Sequence, residues 1–89
     1  MNITFDPAKD AINVEKHGVS LSLASGMNWD RALEDQDNRR NYGEVRVVAY
    51  APIGNRVFCV VFTDRDDSRR IISLRRANAK EVDRYEREI

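Results

Sequence analysis

The sequence predicts an α+β fold: a small antiparallel meander of strands with helices gathered toward the two ends of the chain. Three observations carry this expectation. Asp6-Pro7 and Gly18 mark the two ends of a first helix; from Glu44 the pattern takes a period of two, with an apolar run over Val57–Phe62 and turns at 52–55 and 64–68; Asn78-x-x-Glu81 opens a last helix.

Each element has a local reason. Asp6 is suited to cap a helix and Pro7 to occupy its first position, so a helix is expected from Pro7 to about His17, with Gly18 supplying the left-handed residue that ends it. On that helix Ala8, Ala11, Ile12 and Glu15 lie on one side. Lys9, Asn13, Lys16 and His17 lie on another and form a positive, hydrogen-bonding stripe. Ser20 caps a second short helix through Leu21, Leu23, Ala24 and Met27, interrupted by Gly26. Between Asn28 and Tyr42 the pattern is loop, with a short edge strand near Arg31–Leu33. From Glu44 a strand sets Glu44, Arg46, Val48 and Tyr50 against Val45, Val47 and Ala49. Pro52-Ile53-Gly54-Asn55 turns the chain, and Arg56–Thr63 returns. The unbroken apolar run Val57–Phe62 marks a central strand covered on both faces. After the polar turn 64–68, a third strand, Arg69–Arg75, sets Ile71, Ser73 and Arg75 against Arg70, Ile72 and Leu74. The capping box at Asn78 and Glu81 then opens a helix over Ala79–Glu88.

At 89 residues the chain reads as a single domain, 1–89, with one modest core. One Cys cannot form an internal disulfide, and one His with one Cys cannot assemble a zinc site. No signal-peptide pattern or membrane-length apolar run is present, so the expected compartment is the cytoplasm. Fifteen Lys and Arg balance fifteen Asp and Glu, which excludes a basic field over the whole surface. The balance is uneven along the chain. Residues 1–45 carry five cations and eight anions; residues 46–89 carry ten and seven. Arg69, Arg70, Arg75 and Arg76 fall within eight residues that hold no acid, a candidate anion-binding surface around Ser73.

Single residues leave two readings open. His17 has the one side chain whose ordinary pKa lies near neutrality, so it suits proton transfer; it is equally suited to capping the helix end. Glu44 and Arg46 form either an exposed ion pair or a base beside a phosphate clamp. Arg75 is a phosphate ligand or a solvated charge, and Tyr85 stacks on a base or packs. Cys59 is a core thiol, and Trp29 anchors a core edge or an interface.

Read together, the residues carry a resemblance. Phe5-Asp6-Pro7-x-Lys9…Asn13-x-x-Lys16-His17-Gly18-Val19-Ser20, then Glu44-x-Arg46, Gly54 and Val60-Val61-Phe62-Thr63, resemble the BrnT family of bacterial toxins. So does Arg70-Ile71-Ile72-Ser73-Leu74-Arg75-Arg76-Ala77-Asn78, followed by Glu81 and Tyr85. The sequence departs from the family pattern between Leu21 and Asn38. The resemblance implies a RelE-like fold: a small antiparallel β-sheet with two N-terminal helices and one C-terminal helix. It implies the toxin of a type II toxin–antitoxin module, a ribonuclease that needs no metal or cofactor, cleaves RNA and inhibits translation. The implied partner is a BrnA-type antitoxin with a ribbon-helix-helix end, through which alone the toxin meets DNA. Carried onto this chain, the roles implied are catalytic for His17, Glu44, Arg46, Arg75 and Tyr85, and substrate-binding for Lys9, Lys16, Ser73 and Arg76. The alternative is a non-enzymatic protein-binding module, or a decayed toxin acting only in a regulatory complex.

Overall fold

In the computed structural model, which describes residues 1–89, Asp6 caps helix α1 (Pro7–His17) by accepting a hydrogen bond from Ala8 N at 2.9 Å. Gly18 ends α1 at φ 75°, a left-handed conformation that costs glycine little, and its N–H donates to Val14 O at 2.8 Å. The segment after it, Leu21–Gly26, is a 3₁₀ helix rather than an α-helix. Its three-residue repeat stacks Leu21, Ala24 and then Met27 on one side, and all three are buried.

The side of α1 that faces the sheet is the polar one. Ile12 is 61% exposed and Val14 45%, whereas Asn13 is buried. Asn13 Nδ2 donates to Val19 O at 2.9 Å and to Leu74 O at 2.8 Å, and its Oδ1 accepts from Leu74 N at 3.2 Å. Asp10 Oδ1 accepts from Leu21 N at 2.7 Å and from Ser20 Oγ at 2.9 Å. Thus α1 is fastened by the Asn13 amide, which imitates a strand partner of Leu74, and by the Asp10 carboxylate, which holds the start of the 3₁₀ segment, while Lys9 and Lys16 stay exposed.

Five strands form one sheet in the order β1-β5-β4-β3-β2. The strands are β1 (Asn2–Thr4), β2 (Leu33–Gln36), β3 (Val47–Ile53), β4 (Arg56–Arg65) and β5 (Ser68–Arg76). β2 through β5 are antiparallel as expected, but β1 pairs in parallel with β5. Three residues without an alternating pattern gave the sequence no means to announce β1. β2 begins at Leu33, where the expected edge strand ended, and Trp29–Arg31 form a second 3₁₀ turn. Both hairpin turns are tighter than expected: two residues each, with Gly54 at φ 62° and Asp66 at φ 52°. β3 starts at Val47, so Glu44 and Arg46 lie ahead of the strand. Helix α2 spans Ala79–Glu88, with Asn78 and Glu81 forming the reciprocal capping box.

A bulge in β5 corrects the expected alternation. Val61 pairs with Ser73 but Phe62 pairs with Ile71, so Ile72 is the extra residue. Ile71 therefore faces the core with Leu74, while Ser73 and Arg75 keep the opposite face. The core lies between one sheet face (Ala49, Ala51, Phe58, Val60, Phe62, Ile71, Leu74) and Leu21, Ala24 and Met27. Trp29 meets Phe62 edge to face at 5.4 Å between centroids, which settles it as a core-edge anchor. Arg69 shares that side of β5. Its guanidinium lies 4.0 Å from the Phe62 centroid and 4.6 Å from that of Trp29, and is paired with Asp64 at 2.8 Å. The arginines of β5 consequently do not form one surface.

Candidate functional site

The opposite sheet face is the floor of a cleft. Adjacent strands place Tyr50, Cys59 and Arg75 in one cross-strand row and Val48, Val61 and Ser73 in the next. Lys16 and His17, at the C-terminal end of α1, form one wall. Asp35 to Arg39, at the end of β2 and in the loop after it, form the other, and the cleft measures about 540 Å³. A second hollow of about 210 Å³ runs between α1 and β5, beside Lys9, Lys16, His17 and Ser73. A third, of about 460 Å³, is lined by Lys16, His17, Arg75 and Arg76. All three hollows meet at Lys16 and His17. This meeting point depends on Asn13, which fixes α1 to β5 one helical turn before His17.

Charge is organised within this frame. Desolvation lowers the pKa of His17 below the usual 6.5, and the positive charges of Lys16 and Arg75 push in the same direction. The imidazole is thus biased toward its neutral form, which is the proton-accepting one. Arg75 Nη1 and Nη2 donate to Glu81 Oε1 and Oε2 at 2.8 and 2.9 Å. Glu81 also accepts from Asn78 N at 2.8 Å and from the Tyr50 hydroxyl at 3.3 Å. The Arg75 hydrogen bonds are the main cause that holds the Glu81 carboxyl down to about 2. Burial pushes the Tyr50 hydroxyl up to about 12, so it acts as a neutral donor. On the far wall Asp37, its side chain only 1% exposed, receives the Arg39 guanidinium at 2.9 Å through Nε and Nη2. That pairing holds the Asp37 carboxyl near 2.

The matches to known proteins bear on what such a cleft does. The family model described as ribonuclease toxin, BrnT, of type II toxin-antitoxin system matches residues 5–81. The chain belongs to the BrnT ribonuclease toxin family. The crystal structure of the BrnT ribonuclease toxin of Brucella abortus is similar in fold, with a TM-score of 0.66. Identity to it is 22%, over 88% of this chain and 97% of that one. No curated protein matches the chain. The expected α+β fold is therefore that of BrnT, differing from the expectation in the parallel β1 and the 3₁₀ segment. Membership of a type II system implies a cognate antitoxin. No helix is long and apolar enough to cross a membrane.

With the BrnT family in hand, the site residues expected from the sequence can be placed. Lys9, Lys16, His17, Ser73, Arg75 and Arg76 surround the three hollows. Glu44 and Arg46 do not line these hollows but lie beside them, with Lys9 close enough to Glu44 to help lower its pKa. Arg46 is two residues, roughly 7 Å of extended chain at about 3.3 Å per residue, from Val48 in the cleft floor. Its guanidinium lies 3.9 Å from the Tyr42 centroid, and its Nε is 3.8 Å from Glu44. The Glu44 carboxylate accepts from Arg65 Nη2 at 2.8 Å, and this bond lowers its pKa. Tyr85 does not reach the cleft. It is 5% exposed, and its hydroxyl donates to Arg31 O at 2.6 Å, which ties α2 to the second 3₁₀ turn. Packing, the other reading of Tyr85, is its observed role. Sequence reasoning missed Tyr50 and the Asp37–Arg39 pair. Tyr50 shared the predicted alternation with Arg46, but the strand register that sets it beside Arg75 has no signature in a single chain.

Proposed function

We propose that this toxin cleaves RNA without a metal ion at the point where the three hollows meet, and thereby blocks translation. The observation that carries the proposal is the convergence of Lys16, His17, Ser73 and Arg75 from α1 and β5 on one cleft. Ribonucleotide cleavage by the 2′-hydroxyl needs a base for that hydroxyl, a proton for the departing 5′-oxygen and positive charge on the pentavalent phosphate. His17, biased to the neutral form, takes the 2′-hydroxyl proton as the oxygen attacks phosphorus. The bond to the 5′-oxygen breaks, leaving a 2′,3′-cyclic phosphate, and the ammonium of Lys16 protonates the leaving oxygen. Arg75 stabilises the phosphoryl oxygens, with Lys9, Ser73 and Arg76 holding the flanking strand. Glu44 is a weaker candidate for the base because Arg65 already holds its carboxylate. Arg46, stacked on Tyr42, is a candidate contact for RNA farther along. The partner that neutralises the toxin is proposed to be a BrnA-type antitoxin, with the complex acting on its own operon.

Controlled expression with and without the neighbouring reading frame tests the pair. Growth arrest should appear without the neighbour and disappear with it. In Arg75→Ala and His17→Ala proteins, arrest should be lost and RNA cleavage reduced at least about 100-fold, while antitoxin binding persists. Cleavage that survives EDTA supports the metal-free reading, and cleavage abolished by EDTA refutes it. Arrest that persists in both variants refutes the residue assignment, and no arrest by the parent chain favours the non-enzymatic binding module or decayed toxin.

A further inference from the structure

The way Arg75 is held points to a role for a residue that lies outside the cleft lining. A guanidinium carries five N–H donors in a fixed plane. Nη1 and Nη2 of Arg75 each donate to a different oxygen of Glu81, an end-on arrangement, and Nη1 also donates to Arg76 O at 3.3 Å. Two adjacent donors remain: the Nε–H and the Nη2–H on the same edge. Together they form the side-on fork that matches two oxygens of a phosphate. Arg75 itself is only half-buried and lines the cleft, so the fork is accessible to a ligand.

Glu81 is in turn prevented from moving with its partner. It is the third residue of α2 and completes the capping box with Asn78, so one oxygen is fixed by a backbone N–H. The other is touched by the Tyr50 hydroxyl, from the same cross-strand row as Arg75. The carboxylate also sits where the helix N-terminus favours negative charge. Four donors thus fasten Glu81 from α2, β3 and β5.

We propose that Glu81 is a positioning residue for the reaction: it takes the end of the Arg75 guanidinium and so presents the side-on fork to the phosphate undergoing cleavage. The inference rests on the reading of Arg75 as the phosphate ligand. A long, flexible side chain is thereby ordered before substrate arrives, and the charge is aimed where it develops in the transition state. Glu81 does not act as a carboxylate that occupies the phosphate site, because the donors it uses are not those of the fork.

The test is a double-mutant cycle read by cleavage of a messenger RNA in a purified translation mixture. Glu81→Gln should lower kcat about tenfold and leave KM within about twofold. In an Arg75→Lys background, where charge remains but the fork does not, Glu81→Gln should change the rate by less than about twofold. Val82→Ala trims a half-buried side chain of the same helix without removing a hydrogen bond of Arg75 or Glu81, and should lower Tm while preserving kcat. Equal losses from Glu81→Gln in both backgrounds, or a Val82→Ala protein as slow as Glu81→Gln, would show a merely structural role. Tighter binding of a 2′-deoxy-substituted dinucleotide by Glu81→Gln would show a competitor instead of a positioner. If Arg75→Ala leaves cleavage intact, the phosphate-ligand reading itself falls. If Arg75→Ala abolishes cleavage but Glu81→Gln does nothing, only the positioning role falls.

Discussion

His17 illustrates how a side chain with an ordinary identity acquires a particular use from its surroundings. At the end of α1 it was equally suited to capping carbonyls and to moving a proton. In the fold it feels the charges of Lys16 and Arg75 at the meeting of three hollows, and burial with those charges displaces its pKa downward. The sign has a consequence for activity. If neutral His17 is the base, the acidic limb of log(kcat/KM) against pH should have its midpoint below 6.5. Lys16→Ala removes a repelling charge, so that midpoint should move upward even as the rate falls. A pH–rate profile of the two proteins checks this, and a midpoint unmoved by Lys16→Ala would exclude the imidazole as the group observed. Glu44 shows the reverse outcome: the residue was legible as a candidate base, but its pairing with Arg65 across 21 positions was not.

Among the elements, α1 and β5 decide where the chemistry is gathered. α1 presents its amide and carboxylate side chains inward and leaves Ile12 and Val14 in solvent. A helix docked by hydrogen bonds has a defined azimuth, because Asn13 satisfies both the N–H and the C=O of Leu74. Asn13→Ala leaves those groups unpaired at a buried site and should cost about 1–3 kcal/mol. Denaturant unfolding measures that loss. Cleavage by the folded fraction should also fall, since His17 and Lys16 are carried by the same helix. The bulge at Ile72 has a comparable effect on β5. Simple alternation placed Ile71 on the face of Ser73 and Arg75; one extra residue sends Ile71 into the core and Arg69 onto Trp29 and Phe62. Of four neighbouring arginines, Arg75 and Arg76 are left to line the hollows around His17.

At the scale of the molecule, two buried or half-buried carboxylates organise the fold at different ranges: Asp37 orders the loop just beyond β2 through Arg39 and Tyr42, and Glu81 joins α2 to β3 and β5. Both have folded pKa values near 2, below their ordinary 3.8 and 4.5. Their contribution to stability is therefore fully present above those ordinary values and is lost as pH falls through about 2. Allowing for solvent screening, Glu81 contributes roughly 1–2 kcal/mol. Stability measured from pH 6 to pH 2 should decline across that window, and Glu81→Gln should make the decline shallower. The sequence by itself determined the helix ends, the hairpins, the apolar central strand and the family, since caps, turns and alternation are local chemistry and the family motifs run in order along the chain. It also marked His17, Lys16 and Arg75 as candidates. The tertiary structure decided which of the candidates meet. Strand register, the bulge in β5, the azimuth of α1 and the parallel addition of β1 are set by contacts between residues far apart in the chain, such as Asn13 with Leu74 and Tyr50 with Glu81. Such pairings depend on the whole core closing at once, so no local pattern records them.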